Sequence, residues 1–259
     1  MPSRTAYIFA HPGHEFRLLH TITTCPSVLH IFTTGSRSST SMERIEASRL
    51  LASKLGAIEG EVFGPAIDRT FYEAILGGDV QFFQNLVEQL ASSFILHDVN
   101  RVVVDSWQNY NPLHDLTHLC GRLATHRFEK QTGRALQILD YPVVTADLSD
   151  APCGPLVSST TLDLAQAKYK LEAIAAYPDI ADDANRLIAF DGNDAVKVEC
   201  LHSLLPLAEL KPSRPPFYEA YGRSVVSTGT YSEVITWHHV EAIMNGLLER
   251  SSCPPKVAA

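Results

Sequence analysis

The chain has 259 residues, of which 45% are hydrophobic and 19% charged, and this composition excludes an intrinsically disordered protein. Its formal net charge of −8, without any cluster of lysine and arginine, argues against a nucleic-acid partner. There is no apolar run of the roughly 18 residues that a membrane span needs, and no signal-peptide core, so we expect no membrane partner. Five widely spaced cysteines are typical of reduced thiols in a cytoplasmic protein.

Strand and helix signals alternate through the first half of the chain. Residues 5–10 are apolar and β-favouring and stop at His-Pro-Gly, as a buried strand does when it ends in a loop. Such alternation predicts a mostly parallel sheet covered by helices on both faces, which is the α/β fold class. The predicted strands are residues 5–10, 28–33, 101–105 and 136–139, and the predicted helices are residues 40–55, 79–94 and 115–130.

The pattern is looser beyond about residue 150. It indicates a helix at residues 162–176, a Pro-rich linker at 211–216 and a closing helix at 232–248, and we interpret residues 158–161 as a helix cap. We treat residues 1–259 as a single domain, with a core of about 5–180 and a C-terminal extension of about 181–259. Seven residues of that extension either line a pocket or pack it onto the core: Tyr218, Glu219, Tyr221, Tyr231, Trp237, His238 and His239.

Two histidines follow the first predicted strand. His11 and His14 straddle Pro-Gly, so both imidazoles can turn toward one point, and neutral imidazole binds zinc, iron, nickel and copper. The alternative is a pair of exposed loop histidines. Glu15 is open to three interpretations: a metal ligand, a partner that orients a histidine, or a charge in the first turn of a helix.

A second polar group, Asn111 to His118, follows the predicted strand at residues 101–105. Because ligands gather at the carboxyl ends of parallel strands, we expect His114 to join His11 and His14 there. Three histidines would leave an open coordination position for water, as a catalytic metal requires. For His118 we favour a core histidine bonded to a backbone group, and Asp115 is either a helix cap or a functional carboxylate.

The sequences AHPGHE at residues 10–15 and NPLHD at residues 111–115 resemble the PIG-L/LmbE-like family of zinc-dependent N-acetylglucosaminyl deacetylases. That family begins with a strand, AHPDDE and a helix, and has a second motif, HPDH, after a later strand. The resemblance covers roughly residues 5–145 and recurs weakly around residues 168–177. It implies a Rossmann-like fold, a zinc cofactor and a hydrolase of biosynthesis that acts on an N-acyl sugar or another small polar metabolite.

Position by position, the resemblance implies a modified site. His11 and His114 match two metal-binding histidines, and His14 replaces an aspartate ligand, so the implied metal ligands are His11, His14 and His114. Gly13 replaces the general-base aspartate. Asn111 replaces a histidine that faces the transition state, and Leu113 replaces an aspartate next to the ligand. Three catalytic candidates follow: Asp115 as first replacement base, Glu15 as second, and Asn111 as donor to the oxyanion.

Two other functions remain open from the residues alone. Three neutral histidines also suit iron or another divalent metal, and therefore a non-hydrolytic or redox metalloenzyme. A binding or accessory protein without turnover is the third alternative. In each case we expect a small-molecule partner and allow for a homo-oligomer. If the protein is a deacetylase, we expect Gly13→Asp to preserve or raise its activity.

Overall fold

The computed structural model of the chain describes residues 4–35, 42–144, 153–229 and 232–252. Its strands are β1 (Arg4–Phe9), β2 (Ser27–Thr33), β3 (Ile58–Ala66), β4 (Val99–Asp105), β5 (Gln137–Tyr141), β6 (Leu156–Thr161) and β7 (Val198–Ser203). Its α-helices are α1 (Leu19–Thr23), α2 (Glu43–Leu55), α3 (Asp68–Leu76), α4 (Val80–Leu96), α5 (Pro112–Thr132), α6 (Leu164–Ala176), α7 (Asp182–Asp191), α8 (Phe217–Ser227) and α9 (Trp237–Ser252).

The strands join in one sheet of order β3-β2-β1-β4-β5-β7-β6. The first five in that order run parallel to their neighbours, while β7 is antiparallel to both β5 and β6. Strand order reverses between β1 and β4, so the loops after these two strands leave a crevice between them. Crevices at such reversal points are where open α/β sheets bind their ligands.

The central strands of the sheet are buried on both faces, and this explains why β1 is apolar at successive positions. Ala6 and Ile8 of β1 pack into one hydrophobic cluster, while Tyr7 and Phe9 pack into another on the opposite face. The first cluster draws on α3, α4, α5 and α9, and the second on α1 and α2. Full burial of a large apolar side chain such as Ile8 or Phe9 contributes about 1.5–3 kcal/mol to the stability of the fold. The predicted α/β class, with a mostly parallel sheet covered by helices, is confirmed.

The structure also contains elements that the sequence did not indicate. The strands β3, β6 and β7 and the helices α3, α7 and α8 were not predicted. The interpretation of residues 158–161 as a helix cap is wrong, because they belong to β6 and pair with β7. The following helix is instead capped by Asp163, whose carboxylate accepts the Gln166 amide while the Gln166 side chain accepts the Asp163 amide.

The chain beyond residue 181 contributes to the sheet as well as to its cover. Strand β7 pairs with β5 through Leu139 and Ser203, and α9 packs against α4 and α5. The division into a core and a C-terminal extension stays a prediction. Within the described ranges, no helix combines the length and the apolar character needed to cross a membrane.

Candidate metal site

Three histidine rings meet at the point where the strand order reverses. His11 follows β1, His14 opens a short 3₁₀ helix (His14–Leu18), and His114 lies in the first turn of α5. The ring centroids are 5.5 Å apart for His11 and His14, 5.2 Å for His11 and His114, and 4.7 Å for His14 and His114. The structure therefore brings the three predicted metal ligands together at the carboxyl edge of the sheet.

The turn between His11 and His14 depends on Gly13 and Glu15. Gly13 adopts a φ of +105°, in the left-handed region that favours glycine. The buried Glu15 carboxylate accepts the Gly13 amide at 2.8 Å and the Ser48 hydroxyl with its other oxygen. Burial raises the pKa of Glu15. Both carboxylate oxygens are thus committed to holding the turn.

The loop before α5 is held by Asn111 and Asp115. Asn111 caps the helix, because its Oδ1 accepts the Leu113 amide at 2.9 Å. Asp115 is fully buried, and its Oδ1 accepts the backbone amides of Gln108 and Asn109 at 3.0 and 3.2 Å. Desolvation raises the pKa of Asp115 well above its usual value. Asp115 consequently acts as a clamp on the loop that leads to His114.

A carboxylate at the end of β4 fixes the His14 ring. Asp105 Oδ2 accepts both His14 Nδ1 and the Ala10 amide at 2.9 Å, and its Oδ1 accepts the Tyr141 hydroxyl at 2.6 Å. Because Nδ1 donates to Asp105, His14 Nε2 is the nitrogen left without a hydrogen bond. Burial lowers the pKa of His14, but the Asp105 charge more than offsets this and raises that pKa to about 9.

The other two rings have fewer partners. His11 Nδ1 lies 3.1 Å from the Thr33 hydroxyl and 3.5 Å from an Asp68 carboxylate oxygen, which leaves Nε2 for the site. His114 is buried, and desolvation, together with the neighbouring His14 and His11, lowers its pKa well below the usual value. His114 is therefore held as neutral imidazole, the form that binds a metal.

One nitrogen of each of the three histidines lacks a hydrogen-bond partner. His11 Nε2, His14 Nε2 and His114 Nδ1 are buried and have no hydrogen-bond partner among the described residues. Buried polar atoms in folded proteins are nearly always paired, so an orphaned cluster of this kind needs an explanation. A divalent metal ion fits, because imidazole nitrogen is a preferred ligand of zinc and similar metals.

The donor-atom distances select a different group of three, which includes Asp105 and does not include His11. Donor atoms of His14, Asp105 and His114 lie within 4.8 Å of one another, which is compatible with a shared ion. Both oxygens of Asp105, however, already accept hydrogen bonds from the protein. A carboxylate that holds Nδ1 of a metal-binding histidine is the usual orienting partner in such sites, and Asp105 has that geometry.

Sequence reasoning missed three carboxylates that contact the histidines: Asp68, Asp105 and Asp183, the last of which lies in the first turn of α7. Its Oδ2 lies 3.4 Å from His14 Nε2, and its Oδ1 lies 3.6 Å from the exposed Arg186 guanidinium. Burial acts against the charge, but contact with His14 and the nearby His114 and His11 lowers the pKa of Asp183. Its sequence context, two aspartates before an Ala-Asn pair, is typical of any helix start and gave no functional signal.

The space beside Gly13 is filled by the segment that leads to Asp183. A Cβ atom on Gly13 would lie 2.1 Å from the backbone oxygen of Ile180, which ends the short 3₁₀ helix Pro178–Ile180. An aspartate at position 13 would need Ile180 to move and would also strain the positive φ. The expectation that Gly13→Asp preserves or raises activity stays a prediction, and this crowding at Ile180 argues against it.

A cavity of about 470 Å³ opens beside the histidines. His11, His114 and Asn111 line it, as do Asp68 and Asp183. The predicted bases Asp115 and Glu15 are not among the described residues that line it. Their buried carboxylates face the polypeptide instead, so the structure does not bring them to the position that a base requires.

Aromatic side chains form one wall of the cavity. The Tyr110 and Phe217 rings stack at 4.8 Å with an interplanar angle of 13°, and Tyr221 continues the stack 6.2 Å beyond Phe217. Of the aromatic candidates in the C-terminal part, Tyr218 and Tyr221 line the cavity. Trp237 packs against Trp107, and Tyr231 lies outside the described residues.

His118 lies one helical turn beyond His114 but has a different environment. Its Nδ1 is 3.0 Å from the backbone oxygen of Asp105, and its ring meets the edge of Trp107. Burial lowers the pKa of His118 to about 3. These contacts are those of a core histidine bonded to a backbone group.

Comparison with known proteins relates the chain to others by fold. No protein-family model and no curated protein sequence matches it. Its structure is similar to the conserved protein TT1542 from Thermus thermophilus, with 14% identity over 80% of this chain and 96% of that one and a TM-score of 0.51.

Two deacetylases have a similar fold. The A40926 pseudoaglycone deacetylase is 16% identical over 88% of this chain and 94% of its own, with a TM-score of 0.50. A deacetylase of teicoplanin biosynthesis, solved in complex with teicoplanin, is 10% identical over 79% of this chain and 100% of its own, with a TM-score of 0.52. These similarities show a shared fold.

Proposed function

We propose that the protein is a metal-dependent amide hydrolase, a deacetylase or amidase that acts on an N-acyl sugar or another small polar metabolite. The observation that carries the proposal is the set of three buried, unpartnered histidine nitrogens beside a cavity at the strand-order reversal. The resemblance of AHPGHE and NPLHD to the PIG-L/LmbE-like motifs and the fold shared with two deacetylases support the same reading.

His11, His14 and His114 are the residues that would hold the metal, with zinc as the proposed ion. A bound zinc ion lowers the pKa of a coordinated water to about 7 and polarises a carbonyl group. The chain itself supplies the orientation of the ligands: Asp105 fixes the His14 ring, and Asp68 lies against Nδ1 of His11. Such orienting carboxylates raise the basicity of the ligand and fix its tautomer.

Asn111 is the proposed donor to the oxyanion. Its Oδ1 is held by the Leu113 amide, so its Nδ2 group is directed away from the helix and lies 3.5 Å from the Tyr72 hydroxyl, also at the cavity. A preorganised amide donor of this kind stabilises charge that develops on the acyl oxygen. The proposal gives Asp115 and Glu15 structural roles, since Asp115 Oδ1 and both Glu15 oxygens hold the loops that position His114 and His14.

The aromatic wall indicates how a substrate would be held. The exposed faces of Phe217 and Tyr221 offer a flat apolar surface for the ring of a sugar, and the polar groups of the cavity face that surface. In the proposed reaction, water adds to the acyl carbon, the C–N bond breaks and a proton passes from the water to the departing amine. The products are a carboxylate and a free amine.

The test is hydrolysis of N-acetylglucosamine derivatives by the zinc-loaded protein, followed as release of free amine and acetate. We expect turnover that is lost on chelation and restored by zinc, and that is absent in His114→Ala. Stoichiometric iron or copper in the purified protein, without amide hydrolysis, would favour the redox alternative. A protein that binds no metal would favour the binding or accessory alternative.

A further inference from the structure

We infer that Asp183 is a direct metal ligand, so that the site holds its ion with three imidazoles and one carboxylate. The inference rests on the proposed metal site and extends it to a residue far outside the two histidine motifs. It concerns the side chain of α7 that faces the orphaned nitrogen of His14.

The distance between the two side chains is that of neighbouring ligands. Asp183 Oδ2 lies 3.4 Å from His14 Nε2, which is too long for a strong hydrogen bond, and that nitrogen counts as unpartnered. Two tetrahedral ligands that each bind zinc at about 2.0–2.1 Å lie about 3.3–3.4 Å apart. The observed separation is therefore the one expected for two neighbouring ligand atoms of the same ion.

Charge gives an independent reason for a carboxylate at this place. Three neutral imidazoles leave the full charge of a divalent ion uncompensated in a buried site, and buried charges are normally paired. Asp105 already accepts hydrogen bonds at both oxygens, and Asp68 lies at Nδ1 of His11, the ring nitrogen turned away from the site. Among the described carboxylates, Asp183 is the one that meets a free Nε2.

Gly13 makes the approach of Asp183 possible. The Ile180 backbone oxygen occupies the space that a side chain at position 13 would take. Ile180 and Ala184, on either side of Asp183, are buried in the hydrophobic cluster that contains Phe16 and Leu51. The segment is thus anchored by packing, and Asp183 is aimed at the site by the fold. The chain lacks carboxylates at positions 13 and 14 and obtains one from α7.

The competing explanation is a simple ion pair between Asp183 and protonated His14 that exists only without metal. The two explanations predict opposite effects of removing the Asp183 charge. If Asp183 binds the ion, its loss weakens metal binding. If Asp183 only pairs with His14, its loss leaves metal binding unchanged or strengthens it, because the ion no longer has to displace a partner.

The test is calorimetric titration of Zn²⁺ into the metal-free full-length protein, compared among wild type, Asp183→Asn and Asp182→Asn. Asp182 is the matched control, since it is the adjacent, exposed acidic residue of the same helix turn. We expect Asp183→Asn to weaken zinc binding by at least about tenfold, because even outer carboxylates of metal sites are worth 10–100-fold. Asp182→Asn should bind as wild type does.

A second readout separates direct ligation from a long-range charge effect. Co²⁺ replaces zinc as a spectroscopic probe, and loss of a ligand alters its visible absorption, which Asp182→Asn should leave unchanged. Equal zinc affinity and equal cobalt spectra for Asp183→Asn and Asp182→Asn would overturn the inference, as would a wild-type protein that binds no zinc. Failure of the proposed function is recognised separately, as a wild type that binds zinc but hydrolyses no amide.

Discussion

Asp105 Oδ2 and His14 Nδ1 are joined by a buried 2.9 Å hydrogen bond that spans 91 positions of the chain. The bond links the ends of β4 and β1, the two strands between which the order of the sheet reverses. It fixes which nitrogen of His14 is left without a hydrogen bond, namely Nε2. In the proposed metal site, the orientation of His14 therefore depends on a residue that need not touch the ion.

Replacing Asp105 by asparagine should lower zinc affinity by about 10–100-fold without abolishing binding, because the ring keeps its place but loses the charge that orients and polarises it. The measurement is competition of the purified variant against a zinc chelator. Asp140→Asn is the control, since Asp140 is a buried carboxylate of the neighbouring strand whose Oδ2 lies 3.7 Å from Nδ1 of His118. Equal losses in the two variants would contradict the assigned role.

Asn111→Ser should reduce kcat for amide hydrolysis by about 10²–10³-fold with unchanged metal content, because serine retains the helix cap and removes the amide donor. Steady-state kinetics together with elemental analysis check this expectation. A variant that keeps wild-type kcat would show that the oxyanion is stabilised by other groups.

Gly13→Ala should destabilise the protein by at least about 3 kcal/mol, from the positive φ and from overpacking against Ile180. Gly133→Ala is the control, because Gly133 has a φ of +69° and no heavy atom within 4 Å of the added carbon. Gly133→Ala should lower the free energy of unfolding by only about 1–2 kcal/mol. The comparison is made by urea unfolding, and similar losses for both glycines would show that Ile180 yields easily.

We expect the protonation of Asp140 to make the free energy of unfolding depend on pH. Burial raises the pKa of Asp140 to about 7, while in the unfolded chain it titrates near 3.8. Between these values the folded protein holds a proton that the unfolded chain has lost, so the free energy of unfolding falls as pH rises from about 4 to 7. Asp140→Asn removes this term and should gain up to about 4 kcal/mol relative to wild type across that window. A difference in unfolding free energy between Asp140→Asn and wild type that does not change with pH would contradict this prediction.

The sequence was sufficient for the parts of the site that lie directly after strands. His11, His14 and His114 follow β1 and β4, and apolar strands that end in polar loops are visible without a structure. The same logic predicted four of the five parallel strands, β1, β2, β4 and β5, and missed the partly exposed edge strand β3. Strands β6 and β7 were not predicted, because β6 is largely exposed and has no apolar run, and its partner β7 lies more than thirty positions away.

The carboxylates of the site could not be predicted in the same way. Asp105 was visible only as the polar end of a strand, and nothing local shows that its oxygens meet His14. Asp183 lies 169 positions from His14, at the start of a helix. Acidic residues are common at helix starts, so its charge gives no functional signal. Conversely, Asp115 and Glu15 are adjacent to ligands in sequence, yet their backbone hydrogen bonds turn them away from the cavity.

The central claim is that His11, His14 and His114 hold one metal ion, and the most direct measurement is the zinc content of two variants of α5. His114→Ala and His118→Ala remove buried histidines one helical turn apart, so their general effects on packing are comparable. Elemental analysis of the purified proteins should find one zinc per chain in wild type and His118→Ala and none in His114→Ala. Zinc retained in His114→Ala, or lost only in His118→Ala, would contradict the account.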